Sequence, residues 1–280
     1  MKIKINPKKF INKVGSLEFL CLARLVNLLE KSNKKIENQI ESDNNLNGNL
    51  AIKLFLILLR RGCLSDKRLG IVLKSINRLE NVNLNELNLI DSTTSITNDG
   101  LDILLKKFNT HLKILILNSN NKNIYSNNFT DTFSLFTIAK YCSNLLHLEL
   151  KNCLLVKDLG LIEICKECKL LEKLNCAGCI MLSNVSLVSA SELENLKSIN
   201  LSETCINDNG IVEFLSKNNV ENLEEIIFNS CKSLTKLSIQ SIFEKCENLK
   251  YFSFNGIPNI GVDFNDFKRN SLKEIVWTLH

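Results

Sequence analysis

At 280 residues, 45% hydrophobic, 6% aromatic and 23% charged, the chain can bury a substantial core as one large domain or two small ones. Its net charge of +5 is too mild, and its basic and aromatic residues too little interleaved, for a dedicated nucleic-acid surface. Much of the excess charge sits in Lys2, Lys4, Lys8, Lys9 and Lys13, where a solvated terminus accounts for it.

These first residues are basic but lack an uninterrupted apolar stretch with a small-residue cleavage site, so secretion is not expected. Residues 16–30, SLEFLCLARLVNLLE, and residues 50–73, LAIKLFLILLRRGCLSDKRLGIVL, carry apolar side chains at helical spacing and predict amphipathic helices. Residues 31–49 between them are polar and Asn-rich and read as a loop. The most apolar run, residues 50–59, contains Lys53 and ends in Arg60 and Arg61. It falls short of the ~20 apolar residues a spanning helix needs. No membrane partner is expected, and cytoplasm or nucleus is the expected compartment.

A repeat begins near residue 84. Leu145, Leu148, Leu150 and Cys153 are spaced L-x-x-L-x-L-x-x-C, followed by Val156, Leu161, Ile164 and Cys168. Frames starting at Leu171, Leu196, Leu223 and Leu249 follow at intervals of about 26 residues, within the leucine-rich-repeat range. Upstream, Leu84, Leu87 and Leu89 form one frame and Leu112, Leu115 and Leu117 another; Leu272, Ile275 and Trp277 close the chain with a half-frame. The period of two in L-x-L predicts a short strand, and the later three- and four-residue steps predict a helix. Asp158 to Gly160 and Asp208 to Gly210 fit the start of that helix, where Asp caps free amides.

One such unit cannot bury its apolar face alone, so the units must stack. The predicted fold is an α/β leucine-rich-repeat solenoid with a curved parallel sheet inside and helices outside. Residues 1–78 are read as an N-terminal helical cap with a polar loop at 31–49. Residues 79–280 are read as about seven repeats, the last one partial. The Asn-rich insert 118–131 lengthens one repeat and is expected to loop off an edge.

Eleven cysteines include two Cys-x-x-Cys pairs, Cys165 with Cys168 and Cys176 with Cys179, the kind of spacing used for tetrahedral zinc. The repeat register offers another account. Cys179 aligns with Cys153 and Cys231, Cys168 aligns with Cys142 and Cys246, Cys176 replaces a strand leucine, and Cys165 follows Ile164 in a helix. Burial of small, weakly polar side chains explains these columns. No metal or cofactor is expected, with a thiol-zinc protein as the minor alternative. The histidines are only His111, His147 and His280, and no nucleophile–base arrangement or phosphate-binding loop accompanies them. Enzymatic activity is not expected.

The cysteine at the ladder position, the turns VKDLGL and INDNGI, and the cysteine ending the helix resemble the cysteine-containing subclass of leucine-rich repeats. That subclass is typical of substrate-recognition subunits of SCF- and cullin-type ubiquitin ligases, including F-box proteins. The N-terminal SLEFLCL and LLRRGCLSD are similar to the helical lead-in of antagonist-of-mitotic-exit-network proteins. No Leu-Pro start or N-terminal tryptophan of an F-box occurs, the single tryptophan being Trp277. The resemblance implies a non-catalytic adaptor with an Skp1-, elongin- or cullin-type partner at the N-terminal helices and a protein client on the concave sheet. A ligase-independent scaffold or cell-cycle regulator is the alternative. The expected client contacts are His147, Glu149, Lys151, Lys173, Asn175, Ser198, Asn200, Glu225, Ile227, Tyr251 and Ser253. His147, Ile227 and Tyr251 are the expected anchors, with the Asn and Ser positions offering hydrogen bonds of both signs.

Overall fold

The computed structural model describes residues 3–5, 24–27, 48–76, 82–90, 96–119, 131–217, 220–258 and 274–276. Strand β1 (Ile3–Ile5) pairs in parallel with β2 (Val82–Leu84). Helices α1 (Gly48–Arg60) and α2 (Asp66–Ile76) lie between them in the chain. The repeats follow as β3 (Glu86–Asn88), α3 (Asn98–Phe108), β4 (Ile114–Ile116), α4 (Thr132–Tyr141), β5 (His147–Glu149) and α5 (Asp158–Glu167). They continue as β6 (Lys173–Asn175), α6 (Asn184–Ala190), β7 (Ser198–Asn200), α7 (Asp208–Leu215), β8 (Glu225–Ile227) and α8 (Lys236–Lys245). Strands β9 (Tyr251–Ser253) and β10 (Glu274–Val276) end the series.

Strands β3 to β10 form one eight-stranded parallel sheet in strict chain order, so the chain is a leucine-rich-repeat solenoid of the α/β class. The middle residue of each strand from β3 to β9 is buried: Leu87, Leu115, Leu148, Leu174, Ile199, Ile226 and Phe252. Removing each such side chain from water contributes ~2 kcal/mol, but only once the neighbouring repeat covers it. Hydrogen bonds run past the strand ends, with the amide of Leu150 donating to the carbonyl of Asn175 (2.7 Å) and that of Cys176 to Asn200 (2.8 Å). Each turn then passes through a left-handed residue at one fixed column, Asn152, Gly178, Glu203, Ser230 and Gly256, with φ between +57° and +76°. The column orients the turn amides for stacking: Asn152 donates to the carbonyl of Ala177, and Gly178 to that of Ser202.

The Asp-x-Gly segments do start helices, but their carboxylates cap the neighbour. Asp158 is the first helical residue of α5, preceded by Lys157, which makes no side-chain cap. The Asp158 carboxylate accepts from the amide (2.9 Å) and hydroxyl (2.7 Å) of Ser183, the N-cap of α6, and from the hydroxyl of Ser186 (2.5 Å). Asp208 repeats this with Thr235 and Ser238 at the start of α8, and Asp66 with Thr97 before α3. Asn184 and Asn207 make the equivalent link between α6 and α7. The glycine is required by close approach: a Cβ on Gly160 would lie 2.8 Å from Leu135 Cδ1, and one on Gly210 would strike Asn184.

Helices α1 and α2 belong to the same continuous apolar core as the repeats, with the Phe55 ring stacked on Phe108 at 5.6 Å. Among the described residues no helix is long and apolar enough to cross a membrane. Three expectations need correction or lie outside the described residues. Of residues 16–30 only 24–27 are described, and they are helical. The loop expected at 31–49 ends earlier, because Gly48 and Asn49 already belong to α1. The ends of the insert 118–131 are built into the fold: Asn118 and Ser119 are buried, and Asp131 caps α4 in a capping box with Ser134. Residues 120–130 lie outside the described residues.

The Asp208 link is testable. Partial burial raises the Asp208 carboxyl pKa, but hydrogen bonds from Ser238 and Thr235 outweigh this and hold it below its ordinary value. Its stabilisation is therefore present above the ordinary carboxylate pKa, near 4, and is lost as pH falls through the lower folded value. Asp208→Ala is expected to cost ~1–2 kcal/mol at pH 7. The difference in urea midpoint between parent and variant should shrink from pH 4 towards pH 2. A difference of unchanged size at low pH would exclude the carboxylate as its source.

Candidate interaction surface

The strand register sets the outward-facing residues in two rows across the sheet. One row runs Glu86, Ile114, His147, Lys173, Ser198, Glu225 and Tyr251. The other runs Asn88, Ile116, Glu149, Asn175, Asn200, Ile227 and Ser253. Ten of the expected client contacts lie in these rows, and Lys151 lies just beyond the end of β5, exposed. Helices on the outer layer are wider than strands, so the sheet side is the concave one.

Part of the charge on this face is paired locally. His147 Nε2 lies 3.0 Å from Glu149 Oε1, with both side chains about three-quarters buried. Burial pushes the His147 pKa down, Glu149 opposes this, and Lys173 adds to the lowering. A neutral imidazole donating its Nε2 proton to Glu149 satisfies both groups. Glu149 also accepts from Asn118 Nδ2 (2.6 Å), while Asn118 Oδ1 accepts from the Lys151 amide (2.7 Å). Farther along, Ser198 donates to Glu225 at 2.6 Å.

The Asn and Ser positions are less available than their types suggest. The Oδ1 atoms of Asn88, Asn175 and Asn200 accept from the backbone amides two residues on, those of Ile90, Ala177 and Ser202, and so terminate the strands. Asn229 Oδ1 accepts from Ser253 Oγ (2.8 Å) and from the Asn255 amide (2.7 Å). Ser253, expected as a contact, is 1% exposed and already bonded, so its side chain cannot meet a partner. His147, Glu225, Ile227 and Tyr251 are all partly exposed.

The four cysteines of the two Cys-x-x-Cys pairs are all buried. Cys179 donates to the carbonyl of Leu150 (3.0 Å), as Cys153 does to Leu117 (3.4 Å) and Cys231 to Leu201 (3.2 Å). Thr204 takes the same column and donates to Leu201 at 2.6 Å. At the helix ends Cys168 donates to the carbonyl of Cys142 (3.5 Å). Cys165, read from sequence as an undistinguished helix position, faces the core at 1% exposure. Among the described residues no three His, Cys, Asp or Glu side chains are grouped to hold a metal ion. Burial pushes the thiols of Cys142, Cys165 and Cys168 up to about 12 and that of Cys231 to about 11. Cys176 is raised by its hydrogen bond with Cys179 and by burial. These thiols are protonated at neutral pH and are poor nucleophiles and ligands.

A second ladder had no counterpart in the sequence reading. The Nδ2 groups of Asn144, Asn195, Asn222 and Asn248 donate to the carbonyls of Thr110, Lys169, Glu194 and Glu221, one repeat earlier. Its signal was the recurring Asn-Leu that opens four of the frames.

No family model matches the chain. The chain is similar to antagonist of mitotic exit network protein 1 of Saccharomyces cerevisiae, 29% identical over 138 residues, covering 48% of this chain and 23% of that protein. It is similar to the protein of the same name in Candida glabrata, 26% identical over 131 residues, covering 46% of this chain and 24% of that protein. The chain thus spans about a quarter of the length of the curated relatives it matches. A chain in the solved complex of Rad7 and Elc1 from yeast aligns with a TM-score of 0.37 and 14% identity, covering 94% of this chain and 98% of that one. The two sequence similarities agree with the resemblance to antagonist-of-mitotic-exit-network proteins.

Alkylation tests the thiol assignment. With iodoacetamide at pH 8, Cys205, the exposed member of the described set, should react well before Cys142, Cys165, Cys168 and Cys176. Peptide mapping should find the buried four modified only after urea unfolding. Early labelling of any of the four in folded protein would contradict their burial.

Proposed function

We propose that this chain is a non-catalytic protein-interaction adaptor that holds a protein client on its concave sheet and acts in cell-cycle control within a cullin-type ubiquitin-ligase context. The observation that carries the reading is the pair of side-chain rows across the seven strands β3 to β9, in which Ile227, Tyr251 and His147 are partly exposed among polar groups. Apolar and aromatic anchors inside a polar surround are the usual concentrations of interface energy. The cell-cycle assignment draws on the similarity to proteins named as antagonists of the mitotic exit network. The ligase assignment draws on the cysteine-containing repeat type, with α1 and α2 as the surface for an Skp1-, elongin- or cullin-type adaptor. The compartment that fits is cytoplasm or nucleus.

A ligase-independent scaffold is the second reading. It is favoured by the burial of Ala51, Leu54, Phe55 and Leu58 of α1 in the apolar core shared with the repeats, which uses that helix to close the core.

Affinity purification of the full chain from its own cells, with quantitative mass spectrometry, separates the two. Enrichment of an Skp1-, elongin- or cullin-type subunit is expected, and its absence would leave the scaffold reading. The double variant Ile227→Asp, Tyr251→Ala is expected to weaken client recovery about tenfold, as loss of two anchors should, while retaining the ligase subunit. Client recovery unaffected by this variant would remove the concave face as the binding site.

A further inference from the structure

All repeat helices run in the same direction, so their N-termini gather along one edge of the solenoid. Bridges between consecutive turns, Asp131 to Leu155, Ser183 to Cys205 and Asn207 to Ser233, tie that edge together. It is apolar and basic where a helix start by itself favours polar and acidic side chains.

Leu159, Val185 and Leu237 hold the second helical position of α5, α6 and α8 and are 66%, 51% and 66% exposed. Phe133 holds it in α4, and Ile180 and Met181 stand in the turn leading to α6. These six account for most of the ten large exposed apolar side chains of the described residues. The fold does not require them: Asp99 in α3 and Asn209 in α7 occupy the same helical position. An apolar side chain there gains no helix stability and leaves surface in water, which marks a contact surface more often than chance.

The charges point the same way. Lys157 is the N-cap of α5 and Lys236 the first residue of α8, so both face the positive end of a helix dipole. Lys232 lies in the turn before α8. Among the described residues none of the three forms an ion pair. In the turns 151–157, 177–183, 202–207 and 229–236 the one acidic residue is Glu203. Asp158 and Asp208, just beyond, are engaged by Ser and Thr of the next repeat. The opposite edge is neutralised by Lys169–Glu192, Lys197–Glu172 and Lys250–Glu224 at 3.3, 3.1 and 2.8 Å.

We propose that this edge is a second docking surface, distinct from the concave rows, whose occupant is a partner-protein segment presenting an apolar stripe flanked by acidic residues. The three lysines, without an ion pair among the described residues, supply the complement for carboxylates, and Leu159, Val185 and Leu237 supply the complement for apolar side chains. The span from α5 to α8 is three helix steps, roughly 30 Å at a helix spacing of about 10 Å. A helical segment of ~20 residues reaches that far.

The test uses the full chain and a fluorescein-labelled 20-residue peptide with Leu at helical spacing and Glu at the remaining positions, against a control with Lys for Glu. The Glu peptide should bind, more weakly as salt rises, and the Lys peptide should not. The triple variants Leu159→Ser, Val185→Ser, Leu237→Ser and Lys157→Glu, Lys232→Glu, Lys236→Glu should each weaken binding about tenfold. Both alter exposed or half-exposed side chains, so circular-dichroism melting should show folded protein. The concave variant Ile227→Asp, Tyr251→Ala should bind the peptide as the parent does, which keeps this surface separate from the client face. Equal binding of both peptides, or binding indifferent to the edge variants, overturns the proposal. So does self-association in sedimentation that the apolar variant abolishes, since the occupant would then be a second copy. Binding to phosphatidylserine vesicles without binding to the Glu peptide would overturn it in favour of a lipid surface.

Discussion

The apolar residue at the centre of each short strand from β3 to β9 is buried, and a repeat standing alone could not keep it from water without its neighbours. This mutual dependence governs the rest of the molecule. Because parallel strands of three residues supply few hydrogen bonds each, the stack extends its ladder past the strand ends into the turns. The left-handed column at Asn152, Gly178, Glu203, Ser230 and Gly256 allows that extension. Where the column is Glu or Ser, the fold accepts a strained backbone, at a cost of order 1 kcal/mol, so that the turn stays in register.

Polar side chains serve the same stacking. Asp158 and Asp208 satisfy the next helix start, the Asn144-to-Asn248 column satisfies carbonyls of the previous repeat, and the cysteine column satisfies strand carbonyls inside the core. Thr204 in the cysteine column donates instead to Leu201 of its own repeat, so the column takes a small side chain with one donor, and it is the cysteines that reach the preceding repeat. Thiols suit it because they give up little by burial. Much of the chemistry visible in the composition therefore holds repeats together, while His147, Ile227 and Tyr251 on the concave face stay partly exposed.

The strand and helix periods, the repeat length and the column alignment of the cysteines were legible because each depends on local spacing that recurs. The roles of Asp158 and Asp208 were half legible. Their position at a helix start was readable, but the recipient of the carboxylate lies about one repeat away and belongs to the neighbouring helix. The burial of Ser253 and Cys165 was missed because a strand or helix position fixes direction and not the depth of the surrounding structure. The ends of the insert, Asn118 and Asp131, were assigned to a loop on composition, whereas one reaches Glu149 and the other caps α4.

The amino-acid sequence by itself determined the class of fold, because a period of two followed by steps of three and four, repeated at a constant interval, has one economical way to bury its apolar residues. It also determined which residues face the concave side, since alternation along a strand follows from backbone geometry. Only the tertiary structure decided which of those residues meet solvent and which are engaged by a neighbour. It alone showed that Leu159, Val185 and Leu237, spread over 79 residues of chain, share one edge with Lys157, Lys232 and Lys236. Exposure and juxtaposition are properties of the stack, and no spacing within one repeat encodes them.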